Sequence, residues 1–112
     1  MENFENIKLL KSSFAFASDT IDFCEELVTK NKKPIAEKIL KTTLSSICSL
    51  QNAFQAEMKS SYKSNMFDAY NHLKNAIYWL EQCNKSGYLF REDLFVFAND
   101  LLEFCKRESE KK

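Results

Sequence analysis

The scarcity of turn-forming residues limits the fold of this chain more than any other feature of its sequence. Among 112 residues there is one glycine, Gly87, and one proline, Pro34. Sheets and barrels need a turn after every short strand, and glycine and proline supply much of that turn chemistry. The sequence therefore predicts a few long helices in one domain, 1–112, with a single modest core.

Apolar residues recur every three or four positions along four segments, which is the spacing of one face of a packed helix. This pattern predicts helices at about 4–30, 34–59, 61–85 and 91–108. The connections between them are only a few residues long, which favours antiparallel neighbours. The predicted fold class is all-α, an antiparallel up-down-up-down four-helix bundle.

Several predicted helix ends carry a local signal. Asn31 can stop the first helix, and Pro34 fits the first turn of the second, where its missing N–H costs nothing. Ser60 or Ser61 offers an N-cap to the third helix. Gly87 can adopt the left-handed conformation that ends this third helix.

The first helix carries two apolar stripes. The stripe predicted to face the core consists of Ile7, Leu10, Phe14, Ala17, Ile21, Cys24 and Val28. The stripe beside it consists of Leu9, Phe16, Phe23 and Leu27. In the third helix, aromatic side chains also lie off the main stripe, Phe67, Tyr78 and Trp79 among them.

This excess of aromatic surface has two interpretations. These aromatic side chains can be covered within one copy, by wide apolar helix faces and at the chain ends. Alternatively, they can form an interface between subunits, as exposed apolar patches usually do. The second interpretation predicts a homo-oligomer. Its predicted interface residues are Leu9, Phe16, Phe23, Leu27, Phe67, Tyr78 and Trp79.

A lysine corner lies between the first two predicted helices. Its members are Lys30, Lys32, Lys33, Lys38 and Lys41, opposed only by Glu37. Such a cluster can contact phosphates or an acidic partner, or it can be a solvated corner. Over the whole chain sixteen basic and sixteen acidic side chains cancel, which disfavours strong nonspecific binding of nucleic acid.

The residues that usually carry chemistry are sparse. His72 is the only histidine, and the four cysteines, which we expect to be buried thiols, form no CxxC pair. Zinc and di-iron sites need more ligands than this. The stretch "NHLKNA" is similar to a phosphotransfer helix, but Lys74 follows His72 by two residues and points to another face. The sequence predicts no catalytic residue, no cofactor and no metal site.

The sequence also predicts a location. The first residues have no apolar leader segment, and no apolar run approaches the roughly 20 residues that cross a bilayer. We therefore expect a cytoplasmic protein with reduced thiols and no membrane partner.

Two stretches, "PIAEKILKTTLSSICSLQNAF" and "YKSNMFDAYNHLKNAIYWLEQCNKSGYL", resemble a bacterial family of four-helix-bundle proteins encoded in intervening sequences of 23S ribosomal RNA genes. The runs 78–81 (Tyr-Trp-Leu-Glu) and 86–89 (Ser-Gly-Tyr-Leu) carry the resemblance, which covers roughly residues 34–89. The chain departs from the family at Ile47, where the family has glycine, and at Asn52, where it has glutamate.

The resemblance implies a homo-oligomer, in the form of a pentameric ring, with no known catalysis. It favours a scaffold or interaction module as the function. Relatives of the family include accessory proteins of diversity-generating retroelements, which are basic and act with a reverse transcriptase and RNA. The alternative function is therefore an RNA-binding accessory protein that uses the lysine corner, and the neutral charge of this chain weighs against it.

Overall fold

The computed structural model describes residues 4–111, and side chains from residue 7 onward. Its helices are α1 (Phe4–Thr29), α2 (Lys33–Gln55), α3 (Lys59–Lys85) and α4 (Glu92–Glu110). Residues 4–111 contain no strand. The predicted all-α class is confirmed.

The direction of each helix follows from its length and from the short connections. At about 1.5 Å per residue the first three helices are roughly 35 to 40 Å long, and the molecule measures 44 × 21 × 20 Å. The connections 30–32, 56–58 and 86–91 are too short to return along a helix of that length. Consecutive helices also pack against each other, and α1 makes its smallest contact with α4. The chain therefore runs up and down through an antiparallel four-helix bundle, as predicted.

The ends of α1 and α3 use left-handed residues, as the sequence predicts. Asn31 has φ of 63° and Gly87 has φ of 72°. Each turn returns a backbone N–H to the helix that it ends: Lys32 N donates to Leu27 O at 2.9 Å, and Tyr88 N donates to Cys83 O at 3.0 Å. These bonds satisfy carbonyls that the helix leaves unpaired.

The connection between α2 and α3 differs from the prediction. Helix α2 ends at Gln55 rather than near Lys59, and α3 begins at Lys59. Met58, with ψ of 139°, takes the N-cap position, so the prediction of an N-cap at Ser60 or Ser61 is wrong. The turn at 56–58 contains neither glycine nor proline, so no local signal marks it. Pro34 lies in the first turn of α2, as predicted.

The rotation of α1 also differs from the prediction. Phe16, Phe23 and Leu27, from the stripe placed beside the core, are buried in the core. The stripe predicted to be buried is instead largely exposed, and among its members only Cys24 is fully buried.

Two hydroxyl side chains explain the difference. Ser13 and Thr20 lie on the buried face of α1, and each donates to a carbonyl one turn earlier, Thr20 to Phe16 O at 2.8 Å. A hydroxyl bonded in this way can be buried at little cost. A pattern based on apolar residues alone counts both positions as polar, so it predicts that the wrong face of α1 is buried.

Candidate interaction surfaces

The predicted oligomer interface does not exist as one surface. Phe16, Phe23 and Leu27 are buried within their own chain, so their assignment to a subunit contact is wrong. Leu9 and Trp79 are half-buried and pack against the core. From the predicted set, Phe67 and Tyr78 remain exposed, both on α3.

A different apolar surface takes their place on α1. It consists of Ile7, Phe14, Ile21 and Val28, which we call the α1 stripe. These side chains are 41 to 54% exposed and recur every seven residues. The same repeat is visible in the sequence, where it predicts burial, and the structure shows these residues exposed. Sequence reasoning therefore identified the residues of the surface and missed its exposure.

The α1 stripe borders a groove between α1 and α2. This groove has a volume of about 170 Å³ and an apolar lining that includes Ile21, Cys24, Val28, Ala36 and Leu40. Glu25, Lys33 and Glu37 complete its lining. An apolar floor with charged residues around it is typical of a surface that another helix covers.

Within the Tyr78–Trp79 cluster, Trp79 packs against the core and Tyr78 is exposed. The two rings meet edge to face with centroids 5.0 Å apart. Lys38 Nζ of α2 lies 4.6 Å from the centroid of Trp79, so this ring joins α3 to α2. Such cation–π contacts contribute about 0.5 to 1 kcal/mol at exposed sites.

The lysine corner spans the α1–α2 connection and the first turns of α2, and three of its side chains contact their own chain. Lys32 Nζ lies 4.3 Å from the ring centroid of Tyr88, and Lys38 covers Trp79. Lys33 pairs with Glu37 at 3.9 Å. Lys30 and Lys41 are exposed. Part of the corner therefore stabilises the packing of the start of α2 against α3 and against the α3–α4 connection.

Three of the four cysteines are buried, and the expectation that all four are buried is wrong for Cys48, which is exposed. Burial raises the pKa of Cys24 to about 11 and that of Cys105 to about 12, and it also raises the pKa of Cys83. A thiol with a raised pKa is a poor nucleophile at neutral pH because little thiolate is present.

A polar contact joins the start of α3 to the end of α4. The Tyr62 hydroxyl donates to Glu108 Oε1, and Lys111 Nζ lies 2.6 Å from Glu108 Oε2. Burial raises the pKa of Tyr62, and the bond to Glu108 raises it further. For Glu108, burial acts to raise the pKa, but the bonds from Lys111 and Tyr62 outweigh it and the pKa is lowered. This contact links the start of α3 to the end of α4.

The remaining candidates for chemistry do not converge. His72 is half-buried on α3. Among the described residues, no group of three or more His, Cys, Asp or Glu side chains could hold a metal ion. None of the helices in residues 4–111 has the length and apolar character to span a bilayer.

The fold and these surfaces define the chain as a four-helix-bundle protein. No family model matches its sequence, and no curated protein matches it. Among solved structures it is similar to a protein of unknown function from the S23 ribosomal protein family of Bacteroides thetaiotaomicron. The two chains are 18% identical, the match covers 96% of this chain and 100% of the other, and the TM-score is 0.86.

At this identity the likeness establishes the shared fold. It confirms the four-helix architecture and fits the four-helix-bundle family that the sequence resembles.

Proposed function

We propose that the protein is a cytoplasmic, non-enzymatic assembly module that forms a homo-oligomer and acts as a scaffold. The α1 stripe is the observation that carries this proposal. Four large apolar side chains on one helix face are 41 to 54% exposed in a single copy. Burying such surface is favourable by about 25 cal/mol per Å², and contiguous apolar patches usually mark association.

The chemistry of the buried groups supports a role without catalysis. The thiols of Cys24, Cys83 and Cys105 are held protonated by burial, which makes them unsuitable as nucleophiles. The groove between α1 and α2 exposes an almost entirely apolar surface and is bordered by Glu25, Lys33 and Glu37, whereas a substrate site usually has polar groups inside the pocket that fix the orientation of the ligand. The resemblance in sequence adds the expectation of a ring of five copies.

Light scattering coupled to size-exclusion chromatography tests the proposal. We expect the protein to elute at micromolar concentration with a mass that is a multiple of 13.1 kDa. The variant Phe14→Glu should elute as a monomer, because a charge in a buried apolar contact is costly. A wild-type protein that is monomeric at this concentration contradicts the proposal.

The matched control is Phe67→Glu. Phe67 is 53% exposed on α3 and Phe14 is 49% exposed on α1, so the two substitutions perturb the single chain to a similar degree. The control should keep the oligomeric mass. If Phe67→Glu dissociates the oligomer and Phe14→Glu does not, the interface lies on α3.

The lysine corner supports a second candidate function, an RNA-binding accessory protein. Lys30, Lys33, Lys38 and Lys41 are exposed, so their ammonium groups are accessible to a phosphate. Filter binding of structured RNA at two salt concentrations tests this candidate. Binding that weakens with salt and with reversal of Lys32 and Lys33 to glutamate supports it, and an absence of binding at low salt contradicts it.

A further inference from the structure

The side of the bundle between α1 and α4 is its most open side, because these two helices pack less closely than the other neighbouring pairs. A cleft of about 310 Å³ lies there, which we call the α1–α4 cleft. Its lining is mostly apolar and includes the rings of Phe16 and Phe97, whose centroids are 5.1 Å apart. Asp19 of α1 and Asp93 of α4 complete it, and no basic side chain is among the described residues that line it.

This combination of rings and carboxylates suits a lysine side chain. The methylene stem of a lysine can lie on an apolar surface while its ammonium group reaches a carboxylate at the edge. Asp22, exposed one turn beyond Asp19, adds to the negative charge on the α1 side of the cleft. The α1–α4 cleft therefore fits a surface that projects lysines from one helix.

The outermost residues of α2 form such a surface, which we call the α2 ridge. They follow one another by four and three residues, the spacing of one helix face. The ridge consists of Pro34, Lys38, Lys41, Ser45, Cys48 and Asn52, all exposed except half-buried Ser45. Its two lysines lie in the first half of α2, and the small side chains that follow them leave room for close approach of another helix.

We infer that the α2 ridge of one copy docks into the α1–α4 cleft of a second copy, with Lys41 beside Asp19 and Lys38 beside Asp93 of that copy. This inference rests on the proposed homo-oligomer and names the two surfaces that meet in it. The contact is head-to-tail, because it joins two different surfaces. A ring of more than two copies, such as the five that the resemblance implies, is built from contacts of this kind.

The heights of these charges along the bundle agree with such a ring. Leu40, between the two lysines, lines the same groove as Ile21, so the lysines are level with the part of α1 that carries Asp19. Asp93 lines the same cleft as Asp19 and is therefore at a similar height. When copies stand side by side with their helices along the ring axis, groups that are level within one copy meet at the contact, and here opposite charges meet.

The same contact covers the α1 stripe. The helices follow in chain order around the bundle, so each copy has its own α1 directly beside its α2. When the α2 ridge enters the cleft of a second copy that points the same way, α1 of the second copy lies over the groove between α1 and α2 of the first. The α1 stripe borders that groove, in which Ile21 and Val28 lie. The interface then has an apolar centre and charged edges, as protein interfaces usually do.

Charge exchange between the two surfaces provides the test. At low ionic strength, Lys41→Glu and Asp19→Lys should each weaken self-association by roughly tenfold per contact, because each replaces an attraction with a repulsion. The double variant K41E/D19K should recover the wild-type affinity, because it restores opposite charges at every contact. Lys41 is a cleaner probe than Lys38, which also covers Trp79 within its own chain. Analytical ultracentrifugation measures the association constants.

The controls are Lys106→Glu and Glu81→Lys, which make the same charge changes at exposed positions outside the α2 ridge and the α1–α4 cleft. Both should associate as the wild type does. The wild type should have a mass of more than two copies of 13.1 kDa, because a head-to-tail pair leaves one ridge and one cleft open.

Three results overturn the head-to-tail contact and leave the homo-oligomer standing. They are a wild type of two copies, an oligomer that K41E and D19K leave unchanged, and a double variant that does not recover. A monomeric wild type instead removes the proposed function itself.

Discussion

Two threonines show that the free-energy cost of burying a hydroxyl depends on whether it has a hydrogen-bond partner. Thr20 in α1 and Thr43 in α2 are both buried. The Thr20 hydroxyl donates to Phe16 O, whereas Thr43 Oγ1 has no hydrogen-bond partner among the described residues. A buried polar group without a partner costs about 1 to 3 kcal/mol. Thr43 is therefore a local weakness in an otherwise well-packed core.

Thr43→Val should stabilise the protein. Valine has nearly the same shape as threonine and removes the unpaired hydroxyl, so we expect the free energy of unfolding to rise by about 1 kcal/mol. Urea denaturation followed by circular dichroism measures the change.

The matched control is Thr20→Val, which removes a hydroxyl that does have a partner. It should leave stability unchanged or lower it by up to about 1 kcal/mol. If both substitutions shift the midpoint by the same amount, the hydroxyl of Thr43 is not the source of the weakness.

At the scale of the helix, the sequence predicted the ends that depend on backbone conformation. Gly87 and Asn31 are recognisable because positive φ favours glycine and, next, asparagine. The turn at 56–58 was not recognisable because extended residues of any type can form it. The prediction of which face of α1 is buried was also wrong, since that face includes Ser13 and Thr20, whose polar side chains do not fit an apolar pattern.

Gly87→Ala isolates the cost of the left-handed conformation. A Cβ atom built on Gly87 meets no described atom within 4 Å, so a clash does not contribute. With φ at 72° we expect a loss of about 1 kcal/mol in the free energy of unfolding. Ser86→Ala, at φ of −81°, is the neighbouring control and should change little. Equal effects at both positions in urea denaturation would show that φ at Gly87 is not the cause.

At the scale of the whole molecule, the thiols in the core make stability sensitive to alkaline pH. Burial raises the pKa of Cys24 to about 11 and that of Cys105 to about 12, from ordinary values of 9.0. The folded state therefore keeps protons that the unfolded state has already lost. The stability that comes from these buried, protonated thiols is fully present below about pH 9 and is lost as the pH rises toward 12.

We expect the free energy of unfolding to fall above pH 9, by at most about 1.4 kcal/mol per pH unit for each of these thiols. Urea midpoints measured at intervals through the alkaline range give the slope. The variant C24A/C105A removes both groups and should show a shallower slope. A double variant with the wild-type slope would assign the alkaline loss to other groups.

The sequence by itself determined the number of helices, their approximate bounds and the antiparallel order, because these depend on local periodicity and on connections too short for any other path. It did not determine which stripe of α1 faces inward, nor that the lysine corner contacts Tyr88 and Trp79. Those features depend on how each helix rotates against its neighbours. Rotation is set by the complete packing of the core, including hydroxyls bonded to their own helix, and only the tertiary structure contains that information.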